Sequence, residues 1–185
     1  NGFNQPNDGL DFQNSGTALR LLTIAATRIG EWITIDGDAT LGPRINRDFW
    51  KSLEMEVMFD SDVRNLPMRI KGPITLDSLT IDLSKTSQHL SALVLSMPAR
   101  SKSLNLTKEG ELVSRKHAEL SFSLAAKCGS TNNIDDAILR PWKCTPPNQV
   151  QIPADASHIA LWKLYEILHD TTIECPYVDV SDSLG

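Results

Sequence analysis

Cysteine is scarce in this chain of 185 residues. There are three, Cys128, Cys144 and Cys175, and no two of them form a C-x-x-C pair. An odd number at wide spacing argues against a disulfide framework or a dithiol redox centre, and reads as free structural thiols in a reducing compartment, with the cytoplasm as the default. No grouping of His, Cys and carboxylates has the spacing of a metal site, and neither metal nor cofactor is expected. Long apolar runs are missing as well. Ala92-Leu93-Val94-Leu95 and Ile159-Ala160-Leu161-Trp162 are the longest, far short of the roughly 20 residues that a bilayer helix needs. No basic-then-apolar leader opens the chain, which starts with Asn1 rather than Met and so reads as cut from something longer or processed.

Positive charge is also in deficit: 18 Lys and Arg stand against 23 Asp and Glu, a formal net charge of −5. No basic run exceeds two residues, which excludes a non-specific phosphate-backbone binder. Any anion held here must be gripped locally, by a few guanidinium groups and helix ends. The sequon Asn105-Leu106-Thr107 has no secretory context around it. Trp32, Trp50, Trp142 and Trp162 are scattered, as in core and edge packing rather than a stacking platform. Apolar residues make up 41% of the chain and charged residues 22%, which is ordinary globular usage and argues against disorder or coiled coil.

What the chain does have is an internal repeat. Asn14-Ser15-Gly16-Thr17-Ala18-Leu19, Lys85-Thr86-Ser87-Gln88-His89-Leu90 and Asp155-Ala156-Ser157-His158-Ile159-Ala160 share one plan: small or hydroxylated residues, then an apolar stretch of helical period. Ser15, Thr86 and Ala156 are spaced 71 and then 70 residues apart, and the strand-like Trp32–Ile35 recurs 71 later as Ser103–Leu106. Leu19, Leu22 and Ala26 share one helical face; Leu90, Leu93 and Val94 share another.

The predicted order within a unit is β-α-β-α-β-β. Helices are expected over about 15–28 and 45–54, then 86–97 and 114–128. Strands are expected over 31–36, 56–59 and 66–70, then 79–83, 102–107, 137–140 and 149–152. This predicts a mixed α/β (α+β) fold, with sheets covered by helices. The units are read as 1–76, with an incomplete N-terminal strand, and 77–153. Residues 154–185 begin an incomplete third unit, with a helix over Ile159–Leu168 and a strand over 172–174. An unfinished unit should leave apolar surface uncovered, with Trp162, Leu164 and Ile167 on that face.

Helix N-termini carry unpaired N–H groups and partial positive charge, so they bind anions. Asn14 to Thr17 and Thr86 to Gln88 stand at two such ends, although Ser, Thr and Asn there also serve as ordinary caps. Arg20, on a helix, reads as structural. Arg44 reads as a surface partner of Asp38 or Asp48. His89 and His158 read as packed histidines, and Arg115-Lys116 as a solvated pair.

Five segments together resemble the 5-enolpyruvylshikimate-3-phosphate (EPSP) synthase family. Asn14–Arg20 is similar to its N-[AS]-G-T-x-x-R segment. Gly37-Asp38 with Arg44-Ile45-Asn46-Arg47 is similar to its R-M-x-x-R-P turn. Thr86–Leu93 is similar to S-S-Q-x-[LV]-[ST]-A-L, Gly110–His117 to L-V-S-[RK]-P-Y, and Ala154–Ser157 to G-D-[AW]-S-S. The resemblance implies a two-lobed enzyme of repeated β-α-β-α-β-β units with its active site between the lobes. The present chain would be two units of one lobe plus the crossing to the other.

The implied reaction is transfer of the enolpyruvyl group of phosphoenolpyruvate to the 5-hydroxyl of shikimate 3-phosphate, a step in aromatic amino acid biosynthesis. The resemblance places Thr86, Ser87, Gln88, Ser114 and His117 on shikimate 3-phosphate. It places Gly16, Thr17, Arg47 and Gln88 on phosphoenolpyruvate, and no catalytic acid or base in this chain. The partner would be the missing lobe or a second chain, and this part alone is expected to bind substrate weakly and to be inactive. Thr86 stands where the family has Ser, Asp48 and Lys116 where it has Pro, and His117 where it has Tyr. Two alternatives are a non-catalytic interaction module of the same fold and a relative of UDP-N-acetylglucosamine enolpyruvyl transferase.

Overall fold

Ile33 and Ile35, Met68 and Ile70, Leu79 and Ile81, and Leu104 and Leu106 are all buried, while the residue between each pair is exposed. A strand with one covered face requires this alternation, because successive side chains point to opposite sides. The computed structural model describes residues 9–61, 63–150 and 159–174. Its elements in chain order are β1 (Leu10–Asp11), α1 (Gly16–Ala26), β2 (Ile33–Asp36), α2 (Arg47–Ser52), β3 (Glu56–Phe59), β4 (Met68–Lys71), β5 (Ser78–Asp82), α3 (Gln88–Ser96), β6 (Leu104–Glu109), α4 (Arg115–Lys127), β7 (Ile138–Leu139) and α5 (Ile159–His169). Short 3-10 turns follow α1 and α3 and precede α2. The chain divides after Pro146 into two compact units.

The first unit contains two mixed sheets. One has the order β1-β2-β4-β3, the other β5-β6-β7. In each, a helix crosses between parallel strands: α1 joins β1 to β2, with Leu10 opposite Ile35, and α3 joins β5 to β6, with Leu79 opposite Leu106. An antiparallel strand then adds on the far side of each second strand, β4 on β2 and β7 on β6. The sequence period is therefore a structural one, since β2 and β6 start 71 residues apart. Helices α1 and α3 pack side by side, as do α3 and α4.

One core runs through this unit, built from Leu19, Ile24, Trp50, Leu53, Met68, Ile81, Leu90, Leu93 and Met97 among others. Trp50 is 1% exposed, and full burial of a ring that size is worth about 3 kcal/mol. Gly72 lies where β4 runs out against the turn after α1; a methyl group built on it would fall 1.9 Å from the Thr27 carbonyl oxygen. Only hydrogen fits there.

Several details differ from the sequence expectation. Leu22 is half exposed; the covered face of α1 is Leu19, Thr23, Ile24 and Ala26, because packing against α3 and β2, not the apolar period alone, selects the buried face. Positions 149 and 150 form no strand, nor do 172–174; positions 151 and 152 of the first of these lie outside the described residues. Without a paired neighbour, β-branched residues alone do not make a strand. The segment Ala154–Ser157, His158 and Cys175 also lie outside the described residues. Cys128 and Cys144 are free.

In the second unit, α5 carries exposed Leu161, Trp162, Leu164, Tyr165, Ile167 and Leu168, in line with the expected uncovered face. Lys163 pairs with Glu166 at 2.7 Å, and Glu166 Oε1 accepts from the Ile173 N–H beyond the helix end. No helix among the described residues is long and apolar enough to cross a membrane.

Candidate functional site

Three helices of the first unit begin close together, and their caps differ. At α1 the Ser15 hydroxyl accepts from the Ala18 N–H at 3.2 Å, an ordinary N-cap. At α3 Ser87 makes no side-chain cap. Its hydroxyl instead donates to the Ser114 carbonyl oxygen at 3.3 Å, which brings the first turns of α3 and α4 together. At α4 Ser114 adopts a left-handed backbone (φ +51°) and makes no side-chain cap either. Capping therefore explains Ser15 but not Ser87 or Ser114: at α3 the Gln88 N–H is taken by Thr86 Oγ1 instead, and at α4 no side chain caps the helix.

Gln88 connects α3 to α1. Its Nε2 donates to Thr17 Oγ1 at 2.8 Å, and its Oε1 accepts from Arg20 Nη1 at 2.6 Å. Thr17 and Gln88 are 71 residues apart, so homologous positions of successive repeats meet side by side. Arg20 also donates through Nη2 to the Arg44 carbonyl at 3.2 Å, and Arg44 Nη1 donates to the Asn14 carbonyl at 3.0 Å. Both guanidinium groups flank Gly16. A methyl group there would sit 2.7 Å from Arg44 Nη2 and 3.0 Å from Arg20 Nη1. The glycine is what lets two cations approach the start of α1.

These two cations sit together with no direct ion pair, although Asp38 lies within electrostatic reach of Arg44. Among the described residues neither has a carboxylate at ion-pair distance. Burial first, then the neighbouring Arg44, lowers the Arg20 pKa. Asp38 feels Arg44 only as a minor influence. Its carboxylate is held below the usual range first by the Thr40 hydroxyl, then by the backbone N–H groups of Thr40 and Leu41. In a chain of net charge −5, two guanidinium groups gathered beside helix N-termini with no carboxylate at ion-pair distance among the described residues have the chemistry to hold an anion.

The structure thus brings together Gly16, Thr17, Gln88, Ser87 and Ser114, with Thr86 adjoining through its hydroxyl, which accepts from the Gln88 N–H at 3.2 Å. His117 lies exposed on the first turn of α4, and its N–H donates to the Ser114 carbonyl. Arg47, expected on phosphoenolpyruvate, is engaged elsewhere. Its Nε donates to Asn65 Oδ1 at 2.6 Å, its Nη2 to the carbonyls of Arg64 (2.8 Å) and Ser61, and its plane lies 4.4 Å over the Phe59 ring.

Sequence reasoning passed over Arg20 as a helix-face residue and Arg44 as a surface ion-pair partner. One signal was available for Arg20: it stands one helical turn after Gly16, the spacing at which side chains share a face. Nothing in the local pattern told Arg44 from Arg47. Behind the cluster, His89 is 4% exposed and stacks flat on Phe49 with ring centroids 3.5 Å apart. Burial, then the Arg20 charge, lowers its pKa to about 4.

The repeated mixed α/β units thus gather helix N-termini, the hydroxyls of Thr17, Thr86 and Ser87 and two guanidinium groups at one place. The family model described as EPSP synthase (3-phosphoshikimate 1-carboxyvinyltransferase) matches residues 1–183, and the chain belongs to that family. The 3-phosphoshikimate 1-carboxyvinyltransferase of Methanothrix thermoacetophila is 30% identical over 138 residues, covering 73% of this chain and 32% of its own length. That of Idiomarina loihiensis is 26% identical over 184 residues, covering 94% and 43%. Among solved structures, the EPSP synthase of Acinetobacter baumannii shares the fold with a TM-score of 0.62 at 21% identity, covering 85% of this chain and 36% of that one. The present chain spans about a third of the length of such relatives.

Proposed function

We propose that this chain is the part of a 3-phosphoshikimate 1-carboxyvinyltransferase that grips both substrates, and that the transfer itself needs the remainder of the enzyme, as the missing lobe or a second chain. The observation that carries this reading is the pair of guanidinium groups, Arg20 and Arg44, held beside Gly16 with no carboxylate at ion-pair distance among the described residues. In this reading Thr86, Ser87, Gln88, Ser114 and His117 face shikimate 3-phosphate. Gly16, Thr17 and Gln88 face phosphoenolpyruvate. The role expected of Arg47 passes to Arg44, because the Arg47 donors already serve the loop at 61–65. The free thiols of Cys128 and Cys144, and an acidic net charge that disfavours long nucleic-acid backbones, accord with a cytoplasmic enzyme acting on small phosphorylated substrates.

Chemically, this part positions and stabilises. Phosphoenolpyruvate and shikimate 3-phosphate are both polyanions, and bringing them into contact costs Coulomb energy that fixed N–H dipoles and guanidinium charges offset. Holding the 5-hydroxyl near the enolpyruvyl carbon supplies proximity; proton transfer belongs to groups outside this chain. The test is titration calorimetry of the chain with shikimate 3-phosphate, alongside Ser87→Ala and Ser114→Ala. Weak saturable binding is expected, diminished in both variants; equal heats in all three would refute the assignment.

A further inference from the structure

Gln88 can point its amide two ways, and the anion site works in only one of them. A guanidinium has only donors, whereas an amide offers one accepting and one donating end. Because Arg20 Nη1 stands 2.6 Å from the Gln88 side chain, the atom facing it must be the oxygen. The amide nitrogen is then forced toward Thr17, 2.8 Å away. Thr17 Oγ1 accepts that bond, which leaves the single Thr17 hydroxyl hydrogen free to donate elsewhere. The second amide hydrogen of Gln88 is likewise left for a ligand.

We infer that Arg20 is a positioning residue which, through Gln88, sets the hydrogen-bond polarity of the anion site, so that Gln88 and Thr17 both present donors. This rests on the anion-binding reading above and gives it a mechanism. Arg20 need not touch the ligand. Its second arm holds the Arg44 backbone carbonyl at 3.2 Å, which ties the segment carrying the other guanidinium to the same anchor. If Gln88 flipped, a carbonyl oxygen would replace the amide hydrogens, and an anion beside it would be repelled instead of bound. A glutamine amide is otherwise indifferent to such a flip, so a donor-only neighbour is the simplest way to fix it.

Two readings of the full chain test this, with Arg20→Lys and Arg20→Met as the variants. Lysine is also donor-only and should keep the amide oriented; methionine keeps bulk but removes the constraint. The first measurement is NMR water exchange of the Gln88 side-chain amide hydrogens without ligand, with exposed Gln149 as the internal reference. Slower exchange at Gln88 than at Gln149 is expected in the wild type and Arg20→Lys, and loss of that protection in Arg20→Met. Equal exchange at the two glutamines in the wild type overturns the inference without any variant, as does undiminished protection in Arg20→Met.

The second measurement is titration with inorganic phosphate. Affinity in Arg20→Lys should stay within about threefold of the wild type, and that in Arg20→Met should fall about tenfold or more. Equal affinity in Arg20→Met overturns the inference. Should the wild type bind no phosphate while its exchange pattern is as expected, the anion-site reading fails and the orienting role of Arg20 stands.

Discussion

Acid should loosen this protein through one buried histidine. His89 is almost wholly enclosed, with its ring stacked on Phe49 and the Arg20 charge nearby. Its pKa in the fold is about 4, against 6.5 for an unperturbed imidazole. Between those values the unfolded chain takes up a proton that the folded chain refuses, so stability is greatest above pH 6.5, falls as pH drops through this window, and levels off below pH 4. The shift corresponds to about 3 kcal/mol across the full window and about 2 kcal/mol by pH 5. Asp38, Asp82 and Glu166 also have lowered pKa values, but they lose their contribution mainly below pH 5, so a comparison of pH 8 with pH 5 isolates the histidine. Urea unfolding at these two pH values should show the wild type losing about 2 kcal/mol more than His89→Phe, which keeps a ring on Phe49 and cannot titrate. The quantity of interest is the pH dependence, not the absolute stability of the variant. An identical loss in both proteins would refute the reasoning.

Exchanging Arg44 and Arg47 for methionine should separate binding from folding. Arg44→Met should weaken phosphoenolpyruvate or phosphate binding about tenfold with little change in the urea midpoint, whereas Arg47→Met should lower stability by about 1–3 kcal/mol as Asn65 and two carbonyls lose their donor. Gly16→Ala should displace both guanidinium groups, because its methyl would lie within 3.0 Å of each; calorimetry should show about tenfold weaker phosphate binding with an unchanged or slightly raised Tm, since alanine is the better helix former. Gly72→Ala meets backbone rather than a flexible side chain and should cost about 3 kcal/mol, visible as a Tm drop of roughly 6–12 °C by circular dichroism.

The repeat was legible because each unit must solve the same problem, covering one sheet face with helices, and so repeats the same apolar spacing. Leu90, Leu93 and Val94 were placed on a buried face, and all three are buried. Thr17 and Gln88, named from separate segments, lie in contact because the repeats stack in register. Leu22 falls on the apolar period yet is half exposed, because the face of α1 that is covered is chosen by its packing against α3 and β2. The short strand β1, two residues long, has too few side chains to show any alternation.

Local pattern by itself determined the unit type, the helix starts and the residue types available to hold an anion, since these depend on neighbours within a few positions. It could not determine which arginine reaches the site. Arg44 and Arg47 are three residues apart with similar surroundings in the chain, yet one turns to Asn14 and Gly16 while the other is claimed by Asn65 and the carbonyls of the 61–65 loop. Only the tertiary structure decided this. A guanidinium goes where unpaired acceptors lie, and those acceptors come from segments 14 to 30 residues away.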